Sequence, residues 1–107
     1  MIKVPEYNEV LEIVKGSKSS LAFVLYDENY TEADVSNDSF ICKVVDDTGT
    51  EQAGACSIGI DNGKVVLTID TTNLTAGNKY FCEAEDSTLS LCIAKIEIHV
   101  NESIIHA

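Results

Sequence analysis

The sequence predicts an all-β, antiparallel sandwich of about seven strands, and three observations carry that prediction. Seven apolar runs of strand length follow one another along 107 residues, separated by turns bearing Gly, Asn and Asp. Several of these runs alternate apolar and polar residues with the two-residue period of a half-buried strand. Late in the chain, Asn73-Leu74-Thr75-Ala76-Gly77-Asn78-Lys79-Tyr80-Phe81-Cys82 is a Gly-containing turn entering a strand that opens on Tyr and carries Cys two residues later.

A Tyr at that place ties the corner before the sixth strand of immunoglobulin-like sandwiches, through its hydroxyl and nearby backbone. The sixth run here therefore points to the immunoglobulin-like arrangement, with Tyr80, Gly77 and Leu74 as structural residues. Gly77 is expected at positive φ and Tyr80 is expected to be buried with its OH bonded to the preceding turn.

The runs are taken in order. Val10 to Val14 is read as the first strand, although Tyr7, Val10, Leu11 and Val14 also fall at helical spacing, with Pro5 as a first-turn residue and Gly16 as a stop. Leu21 to Tyr26 follows, with Leu21, Phe23 and Leu25 on one face. Phe40 to Val45 and Ala55 to Ile60 come next, then Val65 to Ile69, whose Val65, Leu67 and Ile69 share a face. Asp61-Asn62-Gly63 joins the fourth and fifth runs as a type I′ hairpin, since Asn and Gly tolerate the positive φ that turn demands. Tyr80 to Ala84 is the sixth run, and Leu91 to Val100 the seventh, with Ala94, Ile96, Ile98 and Val100 facing the core. Residues 10–100 form the sandwich, 1–9 an N-terminal arm and 101–107 a C-terminal arm. Residues 27–39 and 46–54 are loops.

Seven Lys plus Arg against eighteen Asp plus Glu leave a net charge of −11, which repels phosphate backbones and excludes nucleic acid as a partner class. The longest apolar runs fall far short of the roughly 20 residues of a membrane-spanning helix. The N-terminal segment lacks the apolar centre of a signal peptide, so the chain is expected to be either cytoplasmic in origin or already trimmed, with Met1 favouring the former.

The four cysteines, Cys42, Cys56, Cys82 and Cys92, all fall on inward parities, so they read as buried reduced thiols that pack as small hydrophobes. One bridge is open to geometry: a three-residue turn at Asp86-Ser87-Thr88 would set Cys82 opposite Cys92. Zinc is disfavoured because no Cys pair has short ligand spacing and neither His lies near one. His99 falls on an outward parity and His106 in the terminal arm, so no nucleophilic arrangement forms and no catalytic residue is expected. Asp27, Glu28, Glu32 and Asp34 crowd one loop, but the Asp-x-Asp-x-Asp-Gly pattern of a calcium loop is absent. Asn29, Asn37, Asn73 and Asn101 open glycosylation-acceptor patterns, which without a secretory route are chance matches.

The run Gly16-Ser17-Lys18-Ser19-Ser20-Leu21-Ala22-Phe23-Val24-Leu25-Tyr26-Asp27, then Ala33-Asp34-Val35-Ser36 and Lys43-Val44-Val45-Asp46-Asp47-Thr48-Gly49, resembles the small immunoglobulin-like modules of tailed-bacteriophage virions. The nearest pattern is the N-terminal module of baseplate upper proteins. Leu67-Thr68-Ile69-Asp70 through Tyr80 continues the likeness, which spans residues 12–100. This chain departs from the pattern in lacking, after Ala107, the long continuation those proteins use for trimerisation, and in carrying Thr31-Glu32 where a Pro is often found.

The resemblance implies a virion structural module with no catalysis and no cofactor, made in the host cytoplasm. It would serve as a capsid decoration or cement protein or a head-fibre adaptor, with a tail or baseplate component as the alternative. The partners implied are other virion structural proteins or further copies of the chain, with neither nucleic acid nor membrane. A secreted immunoglobulin-superfamily recognition domain and a sugar-binding surface sandwich are the readings from other classes. Attachment is expected through surfaces: Ile2, Val4 and Tyr7 in one arm, Ile104 and Ile105 in the other, and the acidic loop residues Asp27, Glu28, Glu32 and Asp34 steering toward a basic partner.

Overall fold

A computed structural model describes residues 2–3 and 7–103, and in these the chain forms nine strands and no helix. They are β1 (Ile2–Lys3), β2 (Tyr7–Val14), β3 (Lys18–Phe23), β4 (Tyr26–Asp27), β5 (Phe40–Asp46), β6 (Cys56–Asp61), β7 (Lys64–Asp70), β8 (Lys79–Asp86) and β9 (Leu91–Asn101). A four-stranded sheet in the order β2-β9-β8-β5 faces a three-stranded sheet in the order β3-β7-β6, and β1 pairs with β4. This is an immunoglobulin-like β-sandwich.

The pairing is antiparallel except at one ladder: β2 runs parallel to β9, with Leu11 beside Ile98 and Ile13 beside Val100. The expectation of a wholly antiparallel sandwich is corrected there. The segment over residues 10–14 is strand, and its ambiguity has a physical source. Leu11 and Ile13 turn to the core while Val10 and Val14 face out, so both faces carry apolar residues and the two-residue period is blurred. Gly16, at φ 91°, closes the turn to β3 with Ser17 N–H donating to the Val14 carbonyl at 3.0 Å.

Three boundaries also move. The segment 1–9 is not simply an arm, because Tyr7–Glu9 begin β2 and Ile2–Lys3 pair with Tyr26–Asp27. Asn101 completes β9 rather than opening the C-terminal arm. The run Leu21 to Tyr26 divides, since the chain leaves the β3 ladder after Phe23 and buries Leu25, whose carbonyl accepts Ala33 N–H at 2.8 Å. The β6–β7 hairpin has Asn62 and Gly63 both at positive φ, 51° and 76°, as a type I′ turn requires.

The core is the facing sides of the two sheets. Val65, Leu67 and Ile69 of β7 are fully buried against Val44, Cys82, Ile96, Ile98 and Val100 of the opposing sheet. Each such aliphatic side chain contributes about 1.5–3 kcal/mol on leaving water.

Candidate functional site

The corner before β8 is built as the sequence predicts. Tyr80 is buried and its hydroxyl oxygen accepts the backbone N–H of Thr75 at 2.9 Å. Gly77 sits at φ 88° and donates its N–H to the Val100 carbonyl at 2.8 Å, which ties the turn to the end of β9. Leu74 is buried beneath the turn, and its carbonyl accepts from the Lys15 ammonium at 2.7 Å. Thr71, fully buried, went unnoticed in the sequence. Its N–H bonds the Ser17 carbonyl at 3.1 Å, and its hydroxyl reaches the same oxygen at 2.8 Å, so it stitches the β2–β3 turn to the end of β7.

None of the four cysteines is in a disulfide. Cys42, Cys56 and Cys82 pack in or against the core, where Cys56 comes from the sheet opposite the other two. Burial, then contact with Cys56, pushes the Cys42 thiol up to about 12. Contact with Cys82 first and burial second push Cys56 up as well, while its contact with Cys42 acts the other way.

Cys92 does not share their face, and the expectation that all four point inward is corrected. The β8–β9 ladder shifts at Ala84/Glu85, leaving Ile93 as an extra residue between Cys92 and Ala94. Ile93 and Ala94 are consecutively buried, which turns Cys92 to the outer face beside Glu85. The register also corrects the Cys82–Cys92 pairing, since Cys82 lies opposite Ile96 and β9 starts only after residues 87–90 have made the turn.

The acidic loop is occupied with its own backbone. The Asp27 carboxylate accepts N–H groups from Asn29 at 2.9 Å and Thr31 at 3.0 Å. Asp34 accepts the Ser36 hydroxyl at 2.7 Å and its N–H at 3.0 Å, and these bonds hold its carboxyl below the usual range. Asp46 and Asp70 repeat the device with Thr48 and Thr72, hydroxyl to carboxylate at 2.6 Å in each, and are likewise lowered. The signal was present as Asp-x-Ser/Thr at each turn. Glu28 and Glu32 are exposed on the same loop. Among the described residues no group of three or more His, Cys, Asp or Glu is arranged to hold a metal ion.

Of the arm residues, Val4, Ile104 and Ile105 lie outside the described residues, as does His106, and Ile2 and Tyr7 are placed by their backbone pairing alone. The structure draws attention to a different surface, the outer face of the four-stranded sheet. Val10 of β2, Glu97 of β9, Phe81 of β8 and Val45 of β5 form one cross-strand row. Val10 is 52% exposed and Phe81 38%, with Ile41, 55% exposed, further along β5. A shallow groove of about 530 Å³ runs between Val10 and Phe81, edged by Glu83, Lys95 and Glu97. Glu97 turns along its strand to meet His99 Nε2 at 2.6 Å, and this leaves the centre of the row largely apolar. β2 is also the edge of its sheet.

No protein-family model matches the sequence, and no curated protein is significantly similar to it. Solved structures do share its shape. A chimeric titin Z1Z2 functionalized with an exogenous peptide from decorin is 12% identical with a TM-score of 0.50, over 95% of each chain. The titin Z1Z2 domains in complex with telethonin give 12% and 0.50 over 95% of this chain, which spans only 48% of theirs. The N-terminal Ig1-2 module of the Drosophila receptor protein tyrosine phosphatase DLAR is 14% identical with a TM-score of 0.44, over 97% of this chain and 50% of the other. The likeness to the titin domains concerns the fold alone.

Proposed function

We propose that this chain is a non-enzymatic protein–protein interaction module that serves as an accessory structural component of a tailed-bacteriophage virion, attached to the particle as a capsid decoration or cement protein or a head-fibre adaptor. The observation that carries the interaction role is the row formed by exposed Val10 and Phe81 and half-buried Val45, with Glu97 between the first two, beside the edge strand β2. A sheet face of that kind, next to unpaired strand N–H and C=O groups, is the surface through which a sandwich adds area and main-chain bonds to a neighbour. The titin Z1Z2 domains, which are similar in shape, are found in complex with telethonin, a precedent for a sandwich of this fold holding another protein. The virion assignment is supported by the resemblance over residues 12–100, and the net charge of −11 suits a basic protein partner. Asp27, Glu28, Glu32 and Asp34 would contribute to steering, while Ile2, Val4, Tyr7, Ile104 and Ile105 would add contacts from the chain ends.

The test is to band virions made from the genome that encodes the chain and to quantify it by mass spectrometry. The wild-type protein is expected in the band, and labelling by electron microscopy then separates head from tail. A Val10→Glu, Phe81→Glu double variant should fold, by circular dichroism, yet be missing from the particles. Absence of the wild-type protein from virions overturns the virion reading. Incorporation of the double variant at wild-type level overturns the sheet face as the attachment surface.

A further inference from the structure

At one end of the sandwich two carboxyl groups meet without a donor between them. Asp86 closes β8, opposite Phe40 of β5 and Leu91 of β9, and its side chain is 0% exposed. Its Oδ1 accepts the Leu89 N–H at 3.2 Å, but its Oδ2 is shielded from solvent and has no hydrogen-bond partner. Asp38, half-buried in the loop that enters β5, presents an Oδ2 in the same condition. Phe40 pairs with Asp86 and the Ser87 N–H donates to the Ser39 carbonyl at 2.9 Å, which brings the Asp38 and Asp86 side chains to the same end of the sandwich, where Asp86 acts on Asp38. Two ionised carboxylates in contact and out of water repel strongly, whereas one proton between them makes an O–H···O⁻ bond of the strong, charge-assisted kind.

A hard cation is the other species that gathers carboxylates, but it takes six or more oxygens. No group of three or more His, Cys, Asp or Glu among the described residues is arranged to hold a metal ion.

We propose that Asp38 and Asp86 share a single proton and form an acid-closed clasp, which fastens the loop before β5 to the β8–β9 turn and loosens when the proton leaves. The charged groups acting on Asp38 are Asp86 from the end of β8 and Asp34 from its own loop, both acidic, so the environment favours keeping the proton. The turn packed beside the pair, Ser87-Thr88-Leu89-Ser90, carries no charge, and Glu85 and Cys92 lie on the outer face. The contact with Asp86, then burial, then the negative charges of Asp86 and Asp34 raise the Asp38 carboxyl to about 6. That places release between mildly acidic and neutral conditions.

The remaining ties are insensitive to pH in this range. Ser39 N–H donates to the Thr88 hydroxyl at 2.8 Å, and the Ser87 N–H and hydroxyl donate to the Ser39 carbonyl at 2.9 and 3.0 Å. Opening should therefore free the stretch around Ser36–Asp38 while β5 and β8 stay paired. The clasp belongs to the isolated protein and does not depend on the virion reading.

The experiment is a carboxyl-carbon NMR titration of the full chain, paired with amide hydrogen exchange at pH 5 and pH 7.5, corrected for intrinsic rates. The Asp38 carboxyl should titrate near 6, and protection of the amides of residues 36–38 should fall about tenfold or more at the higher pH. In Asp38→Asn the amide N–H donates to Asp86 at either pH, so protection should be high and flat across the range. If that variant does not fold, the wild-type titration still decides. An Asp38 carboxyl that titrates near 4, or an Asp38→Asn variant that keeps the wild-type pH dependence, overturns the shared proton. So does calcium chloride at pH 7.5 shifting both carboxyl signals and restoring protection, which would make the pair a cation site.

Discussion

The Tyr80 hydroxyl oxygen lies 2.9 Å from the Thr75 nitrogen and accepts its N–H, so a side chain of β8 holds the turn that precedes it. Tyr80 is only 3% exposed, and water cannot replace the bond once it is lost. Tyr80→Phe keeps the ring packing and leaves the Thr75 N–H without its acceptor. It should lower unfolding free energy by about 1–3 kcal/mol, read as a drop in urea midpoint at unchanged slope.

Gly77 separates backbone conformation from packing. A Cβ added there meets nothing within 4 Å, yet φ is +88°, so Gly77→Ala should cost about 1–2 kcal/mol through the left-handed backbone alone. Gly59, within β6, also has open space where a methyl would stand but no positive φ, and Gly59→Ala should be neutral or stabilising by about 0.5 kcal/mol. Thermal unfolding of the two variants side by side checks the contrast. Equal losses would remove the conformational explanation.

The fold was legible where one signal decided the local structure. Tyr80, Gly77 and the Asn62-Gly63 turn each satisfy a stereochemical demand that few residues meet, and they stand where the sequence predicts. Inward positions of β7 and β9 were readable because Val65, Leu67 and Ile69 keep the two-residue period despite the apolar Val66 between them, and Ala94 through Val100 alternate without interruption. What stayed hidden depends on pairing between distant segments. The parallel β2–β9 ladder leaves no local trace, and the extra residue at Ile93 is invisible in a run whose members are nearly all apolar. The apolar row of Val10, Phe81 and Val45 joins three strands far apart in sequence. The contact between Asp38 and Asp86 was out of reach for the same reason, since the segments that carry it, tied next door by the Ser87–Ser39 bond, are 48 positions apart.

The thiols should react in an order set by the bulge. Cys92 faces the outer surface, whereas Cys82 is buried and Cys42 and Cys56 pack against the core with raised thiols. A chromogenic disulfide reagent at pH 8 should modify Cys92 first in the native protein, and the other three should wait for unfolding. Denaturation should bring the total to four per chain, matching the four unbridged cysteines. Peptide mapping that finds Cys42 or Cys56 labelled ahead of Cys92 would contradict the register described at Ile93.

Opposing titrations should give the fold an optimum on the acid side of neutrality. Asp34, Asp46 and Asp70 have folded-state values below the ordinary 3.8, held there chiefly by hydrogen bonds from Ser36, Thr48 and Thr50, and Thr72. Their contribution is present above 3.8 and is lost as pH falls through the lowered values. Asp38 has the opposite sign. Its folded-state value is raised to about 6, so its contribution is fully present below 3.8 and is lost as pH rises through about 6. The two sets overlap near 3.8, so the melting temperature should peak at about pH 4, and the part of the decline due to Asp38 should run from there to about pH 6. The net charge of −11 at pH 7 adds repulsion on the alkaline side, a part of the decline that salt should relieve. The portion due to Asp38 should persist in high salt and disappear in Asp38→Asn. A melting temperature that rises steadily from pH 5 to 8, in wild type and variant alike, would contradict the assignment.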